Sequence, residues 1–360
     1  MENKAIGSLT HRFLNLFPLC NAKCHQYVIS ILWLLLFLFP FQQYYSFQLE
    51  LTQWDLLFFT GILAFILGLN LVEGLNDRFT LTLNRLITRG IIKVDAQRKK
   101  IFFNHLERHA QDWARIGGIV AAILILGAFT VVLINDFYWQ MVLLAAAESM
   151  GGYIAGNYLG RMVGYGLLGR QLIKESIRIE TQPSHVDGVA GLKPIGDYYF
   201  HQASILAIPA IFLAVWWLLF PIWPRDYSHW ENAYLALLSI SIVIEILGFI
   251  VPLWSFHRIM VKEKARWLTK ADELSRTINT FQAVPEGGRP REVRKLPQEQ
   301  VEMMRKYYWS IENMTTWPVD IKTRGRFRLN NILLFIPLLG DIIKRTFDWK
   351  HILSLLKQLG

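Results

Sequence analysis

Six long, nearly charge-free apolar runs constrain this chain more than any other feature: 27–41, 56–72, 116–134, 141–159, 203–220 and 233–254. Crossing a hydrocarbon core of about 30 Å takes about 20 helical residues. With their flanks all six runs are long enough, the first by the narrowest margin. The expected fold is all-α: a polytopic helical membrane protein of about six transmembrane helices with a cytoplasmic helical region. The chain is 53% hydrophobic and only 18% charged, whereas soluble domains average about 45–50% and roughly 25%.

The basic residues alternate between the segments that separate these runs. Lys plus Arg number 3 before residue 27, none in 42–55, 8 in 73–112, none in 135–140, 5 in 161–198, one in 221–232 and 20 from 257 onward. Basic loops stay on the cytoplasmic side. Both termini are therefore expected inside, with short external loops. Tyr44, Tyr45, Trp54, Tyr138, Trp139, Trp217, Trp223 and Trp230 then fall near the outer interface, and Trp113 and Trp254 near the inner one. The expected domains are a cytoplasmic N-terminal segment (1–26), a transmembrane domain (27–254) with cytoplasmic loops 73–112 and 161–198, and a cytoplasmic helical C-terminal region (255–360). The net charge of +10, nearly all of it cytoplasmic, holds that face toward anionic headgroups.

No small-residue cleavage site follows the first apolar run, so it is expected to be a retained span. Cys20 and Cys24 fall in the cytoplasmic segment and are expected to be reduced. With His25 they are one ligand short of a structural zinc site.

After the last run, residues 255–281 keep a helical apolar spacing without Gly or Pro, and predict a helix that leaves the membrane. Residues 283–297 carry three prolines and two glycines and predict a linker. A second amphipathic helix is predicted over Gln298–Asn313. The apolar stretch Ile332–Leu339 is too short to span and predicts an interfacial or buried helix. Two helices are predicted in the loop 73–112.

Gly152, Gly156, Gly160 and Gly164 recur at a spacing of four. Glycine disfavours a helix in water by roughly 1 kcal/mol against alanine. In lipid, small residues let helix backbones approach closely, and this drives association. Two readings stand open: packing against another span of the same subunit, or an oligomer interface.

Glu148 begins the same ridge one step earlier, about nine residues in from Trp139, or roughly 14 Å. Glu245 lies at similar depth in the sixth run. Acids at this depth usually face an interior or a wet cavity. One reading is a cation or proton pathway through Glu148 and Glu245. The other is that each is protonated and hydrogen-bonded to a neighbour.

The segment IETQPSHVDGVAGLKPIGD (179–197) is broken by Pro and Gly. His185 and Asp187, with His201 beyond, have donor types that suit zinc or manganese. The other reading is that His185 and Asp187 cap turns and the start of the fifth span. The block His185-Val186-Asp187-Gly188-Val189-Ala190-Gly191-Leu192 resembles the HPD-x-x-GGL element of uncharacterised bacterial multispan membrane proteins. It departs from that element at Val186 and Ala190, and it covers about a dozen residues. The resemblance implies a bacterial inner-membrane protein and no particular reaction.

The sequence has no Walker A loop, GxGxxG, HExxH or GxSxG motif. MVGYG at 162–166 continues a helix and is no carbonyl filter. The leading expectation is an oligomeric ion channel or transporter. One alternative is a membrane-anchored sensor or scaffold that binds a cytoplasmic protein through 255–360. The other is a membrane-embedded enzyme dependent on a divalent metal. The expected partners are the bilayer, further copies of the chain and that cytoplasmic protein, with no nucleic acid; no cofactor other than the possible metal is expected.

Overall fold

A computed structural model describes residues 56–135, 139–220, 231–282 and 298–346, together with Ile31. Apart from Ile31, the first apolar run falls beyond those residues, as do the cysteine pair, the linker and most of the short loops expected outside. The described residues are mostly helical, joined by short loops, with no strand among them beyond an isolated bridge between Ile92 and Ile179. The helices are α1 (Leu56–Glu73), α2 (Leu75–Thr88), α3 (Ala96–Asn135), α4 (Trp139–Gly166), α5 (Leu168–Lys174), α6 (Lys193–Leu219), α7 (Glu231–Gln282), α8 (Gln298–Glu312) and α9 (Ile321–Thr346).

Three of them contain segments long and apolar enough to cross a membrane: Ala96–Ala128, Lys193–Leu219 and Tyr234–Glu273. Their outward side chains fit an apolar solvent. Ile123, Leu124, Leu218, Ile240 and Val251 are all exposed. In water such a surface would be a large patch calling for a partner; in a bilayer it needs none.

The two helices predicted in the loop 73–112 take different forms. The first is α2, whose Leu75, Phe79, Leu83 and Leu86 are buried at helical spacing. It stops at Gly90, which takes φ +70°. That left-handed turn lets Ile91 N–H reach the Leu86 carbonyl at 3.0 Å, a helix stop that favours glycine. The second is the start of α3. Nothing between residues 100 and 135 breaks a helix, so amphipathic stretch and apolar run form one 40-residue rod.

The predicted exit helix is likewise continuous with the last apolar run. Together they form α7, 52 residues long, or about 78 Å at 1.5 Å per residue. Gln298–Asn313 gives α8, ending at Glu312. The apolar stretch Ile332–Leu339 lies within the 26-residue α9, a longer helix than the stretch alone suggests.

A buried core joins α2, the first half of α3, α5, and the parts of α6 and α7 around Tyr199 and Phe256. Phe79 stacks on Tyr165 with ring centroids 4.1 Å apart. Tyr199 donates to the Tyr165 carbonyl at 2.8 Å, and Tyr165 donates to Glu107 at 2.9 Å.

The link between α8 and α9 is fastened to this core. Lys264 donates to the carbonyls of Glu312 (2.8 Å) and Met314 (2.9 Å), and His257 stacks on Trp317 at 4.4 Å. Asp320 then caps α9, accepting from Thr323 N–H at 2.8 Å and pairing with Lys193 at 3.1 Å. The starts of α9 and α6 are thereby tied together. Leu334 packs with Ala210 and Ala214 of α6 and with Leu238 and Ile242 of α7.

Candidate functional site

The candidate site is the carboxylate of Glu245 and the helices that enclose it. Glu245 sits on α7, only 1% exposed. It lies nine residues above Trp254, or about 14 Å at 1.5 Å per residue. Asn331 of α9 donates its side-chain amide to Glu245 Oε1 at 3.4 Å and shares the same amide with the Phe327 carbonyl at 3.0 Å. Oε2 of Glu245 and Oδ1 of Asn331 are buried without a hydrogen-bond partner. Four residues earlier on α9, Phe327 stacks on Phe249, four residues later on α7, with centroids 4.1 Å apart. One turn up α9 matches one turn down α7, so the two helices run antiparallel in register through the acid.

A buried polar group without a partner is destabilising, and a charged one far more so. Among the described residues no cation pairs with Glu245. The carboxyl is therefore expected to be neutral, or to have a positive charge brought to it.

Glu148, the other expected pathway residue, lies on α4 beside Ser149, whose hydroxyl is buried without a partner. Among the described residues no hydrogen bond or ion pair joins Glu148 to Glu245. The partner that the structure supplies for Glu245 is Asn331, 86 positions away.

The glycine row of α4 faces α3 of the same chain. A Cβ added at Gly164 would fall 2.6 Å from Ala110 Cα. One added at Gly160 would strike the Trp113 carbonyl, at Gly156 the Gly117 carbonyl, and at Gly152 the Ile125 side chain. As the α4 number falls the α3 number rises, so the helices are antiparallel. The facing ridge is also small: Ala110, Ala114, Gly117 and Ala121. Asn157 is 7% exposed at this seam, and its amide donates to the Tyr153 carbonyl at 2.9 Å.

The HVDGVAGL loop is organised by Asp187. Its carboxylate accepts the backbone N–H groups of Gly191 (2.9 Å), Val189 (3.0 Å) and Lys193 (3.3 Å), and pairs with Arg89 at 3.1 Å. His185 Nδ1 stands 3.0 Å from Asp187 Oδ1. Burial pushes the Asp187 carboxyl upward, but the amides of Gly191 and Val189 and the neighbouring His185 outweigh it and hold it below its ordinary value. Gly188, Ala190 and Gly191 take φ of +70°, +56° and +90°, which turns the chain tightly around the carboxylate. Every bond to Asp187 is one that shapes the loop. His201 lies on α6, near Arg78 of α2. Among the described residues no group of three His, Cys, Asp or Glu side chains is placed to hold a metal ion.

Two features of the site escape a sequence reading. Asn331 is an ordinary polar residue in a tail that reads as cytoplasmic. The Glu107–Tyr165 bond crosses 58 positions, and nothing in the sequence around either residue points to the other. No protein-family model matches this chain, and no curated protein or solved structure matches it either.

Proposed function

We propose that this chain is a multispan membrane protein that passes a cation or proton, with Glu245 as the group that accepts the positive charge and Asn331 as the residue that holds it. The observation that carries the reading is the Oε2 atom of Glu245, buried in an apolar helix pair with no partner. Ionisable groups inside membrane segments are rare because they are costly, and they mark ion or proton paths by default. In this reading six of the described and undescribed apolar runs cross the membrane, and Glu148 stands near the path rather than against Glu245. The glycine ridge is engaged with α3, so assembly into a homo-oligomer uses other faces.

Proteoliposomes holding the purified full-length protein test it, with a pH-sensitive dye and a potassium-sensitive dye inside. The expected result is a leak above that of empty vesicles, with its pH dependence removed by Glu245→Gln. Vesicles that stay tight to protons and to alkali cations would overturn the proposal.

A second reading has its own support. On α8, Met303, Tyr307 and Trp309 are exposed, Met303 and Trp309 by more than half. Tyr307 packs edge-on against Trp267 of α7, and the exposed Met303 and Trp309 beside it fit a docking face for a cytoplasmic protein. A sensor or scaffold would bind there, and Trp309→Ala would abolish capture of its partner without altering ion flux.

A further inference from the structure

A cleft of about 180 Å³ lies between residues 173–179 and α7, lined by Ile173, Ile177, Arg178, Ile179, Arg258, Ile259, Lys262 and Glu263. Three cations meet one carboxylate there. Arg258 and Lys262 are four apart on α7 and so share a face. Among the described residues neither has a carboxylate within ion-pair distance. Arg178 stands 3.9 Å from Glu180, but Glu180 is held more closely by Lys93 at 2.7 Å. Glu263 is 3.9 Å from Arg266, which draws part of its charge away from the cleft.

The position of the cleft narrows the ligand. Arg258 is one turn past the interfacial Trp254 and Lys262 two turns, about 6 Å and 12 Å along the axis. A headgroup layer is roughly 5–8 Å thick on each side of the hydrocarbon core. Arg258 thus falls inside that layer, and the Lys262 backbone about 4 Å beyond it, from where its long side chain reaches back to the headgroups. Ile173, 61% exposed, stands at the same cleft. A free phosphate would have no use for that apolar surface, whereas the glycerol and upper acyl chain of a lipid would cover it.

We propose that this cleft binds the phosphate of an anionic membrane lipid, with Arg258, Lys262 and Arg178 around the phosphate oxygens and Ile173 against the glycerol backbone. Basic pockets between membrane helices at the headgroup level recognise anionic lipids in this way. The guanidinium groups offer paired N–H donors that match a phosphate. The proposal rests on the membrane reading, but not on ion passage.

The test uses the delipidated full-length protein in detergent, read by native mass spectrometry and by thermal unfolding, with no flux measured. Phosphatidylglycerol, phosphatidylcholine and inorganic phosphate are added in separate arms. One phosphatidylglycerol is expected to stay bound and to raise the melting temperature. Arg258→Gln with Lys262→Gln, both at exposed positions, is expected to weaken retention at least tenfold. Arg305→Gln with Lys306→Gln on α8, an equal loss of charge elsewhere, is expected to leave it unchanged. Retention of phosphatidylcholine as strong as that of phosphatidylglycerol would overturn the proposal, and so would full retention by the Arg258 and Lys262 double variant. Inorganic phosphate that stabilises the protein as well as the lipid does would assign the cleft to a soluble anion and overturn the lipid.

Discussion

The side-chain amide of Asn331 meets the carboxylate of Glu245 at 3.4 Å, and both residues are buried. One helix brings the acid into the apolar bundle, and another, 86 positions further along the chain, brings the donor that receives it. The two polar residues hold α9 to α7 at a fixed register. Removing either one strands the other.

Asn331→Leu is expected to destabilise the protein by about 1–3 kcal/mol, since the carboxyl is left without its donor. Glu245→Gln is expected to be neutral or stabilising, because the amide keeps the Asn331 bond and cannot ionise. Thermal unfolding in detergent checks both. The double variant Asn331→Leu with Glu245→Leu should recover most of the loss. With Glu245→Leu measured alone to complete the cycle, a loss equal to the sum of the Asn331→Leu and Glu245→Leu effects would mean that the residues are not coupled.

Gly160→Leu is expected to lower the stability of the monomer by about 2 kcal/mol or more, as overpacking against a rigid backbone does. The added side chain would enter the Trp113 carbonyl, and backbone cannot swing aside. Gly127→Leu is the control. It lies on α3 with nothing within 4 Å of an added Cβ, so it should be neutral or mildly stabilising. If Gly160→Leu left the monomer intact and only split an oligomer, the α3–α4 seam would not be the contact that the glycines serve.

Acid stability depends in part on Asp320 and Asp187, whose carboxyls have depressed pKa values. Thr323 and Lys193 hold the Asp320 carboxyl down at about 2, and Asp187 is lowered by the loop amides. An unfolded aspartate titrates near 3.9. A folded value below the unfolded one gives stability that is present above about pH 4 and lost as the pH falls toward about 2. Asp320→Asn should flatten that part of the stability profile. Asp187→Ala should lower stability at neutral pH by about 3 kcal/mol, since three amides and Arg89 lose their acceptor. An unchanged melting temperature for Asp187→Ala would count against its role as organiser of the loop.

The parts of this structure legible in the sequence are those written in local pattern. The glycine row announces a close helix contact, and the Pro and Gly around Asp187 announce a turn. Their partners are harder to read. Ala110, Ala114 and Ala121 form the other half of the glycine seam, but alanine is at home in any helix and raises no flag. Asn331 escapes notice for the opposite reason. Asn330 and Asn331 bound the apolar stretch of α9 and Pro337 interrupts it, so by hydropathy it reads as too short. The contact with Glu245 that makes Asn331 tolerable lies on a helix far away in the chain.

The same register leads to a test of where α9 ends. Phe327 stacks on Phe249 and Asn331 meets Glu245, so each residue up α9 moves one residue away from Trp254 on α7. Gly340 is nine residues past Asn331, and Glu245 is nine residues past Trp254. At 1.5 Å per residue Gly340 then stands about 27 Å from the Trp254 level, close to the full depth of a hydrocarbon core of about 30 Å. The charge pattern alone leads to the opposite expectation, a C-terminus on the same side as the basic loops. Gly340 has open space around an added Cβ, so cysteine fits there. In a chain carrying Cys20→Ser and Cys24→Ser, Gly340→Cys is expected to react with an impermeant thiol reagent from the side opposite to Gln182→Cys. Reaction of both from the same side would mean that α9 turns back before crossing, and that its contact with Glu245 is made by a helix dipping in from the cytoplasmic face.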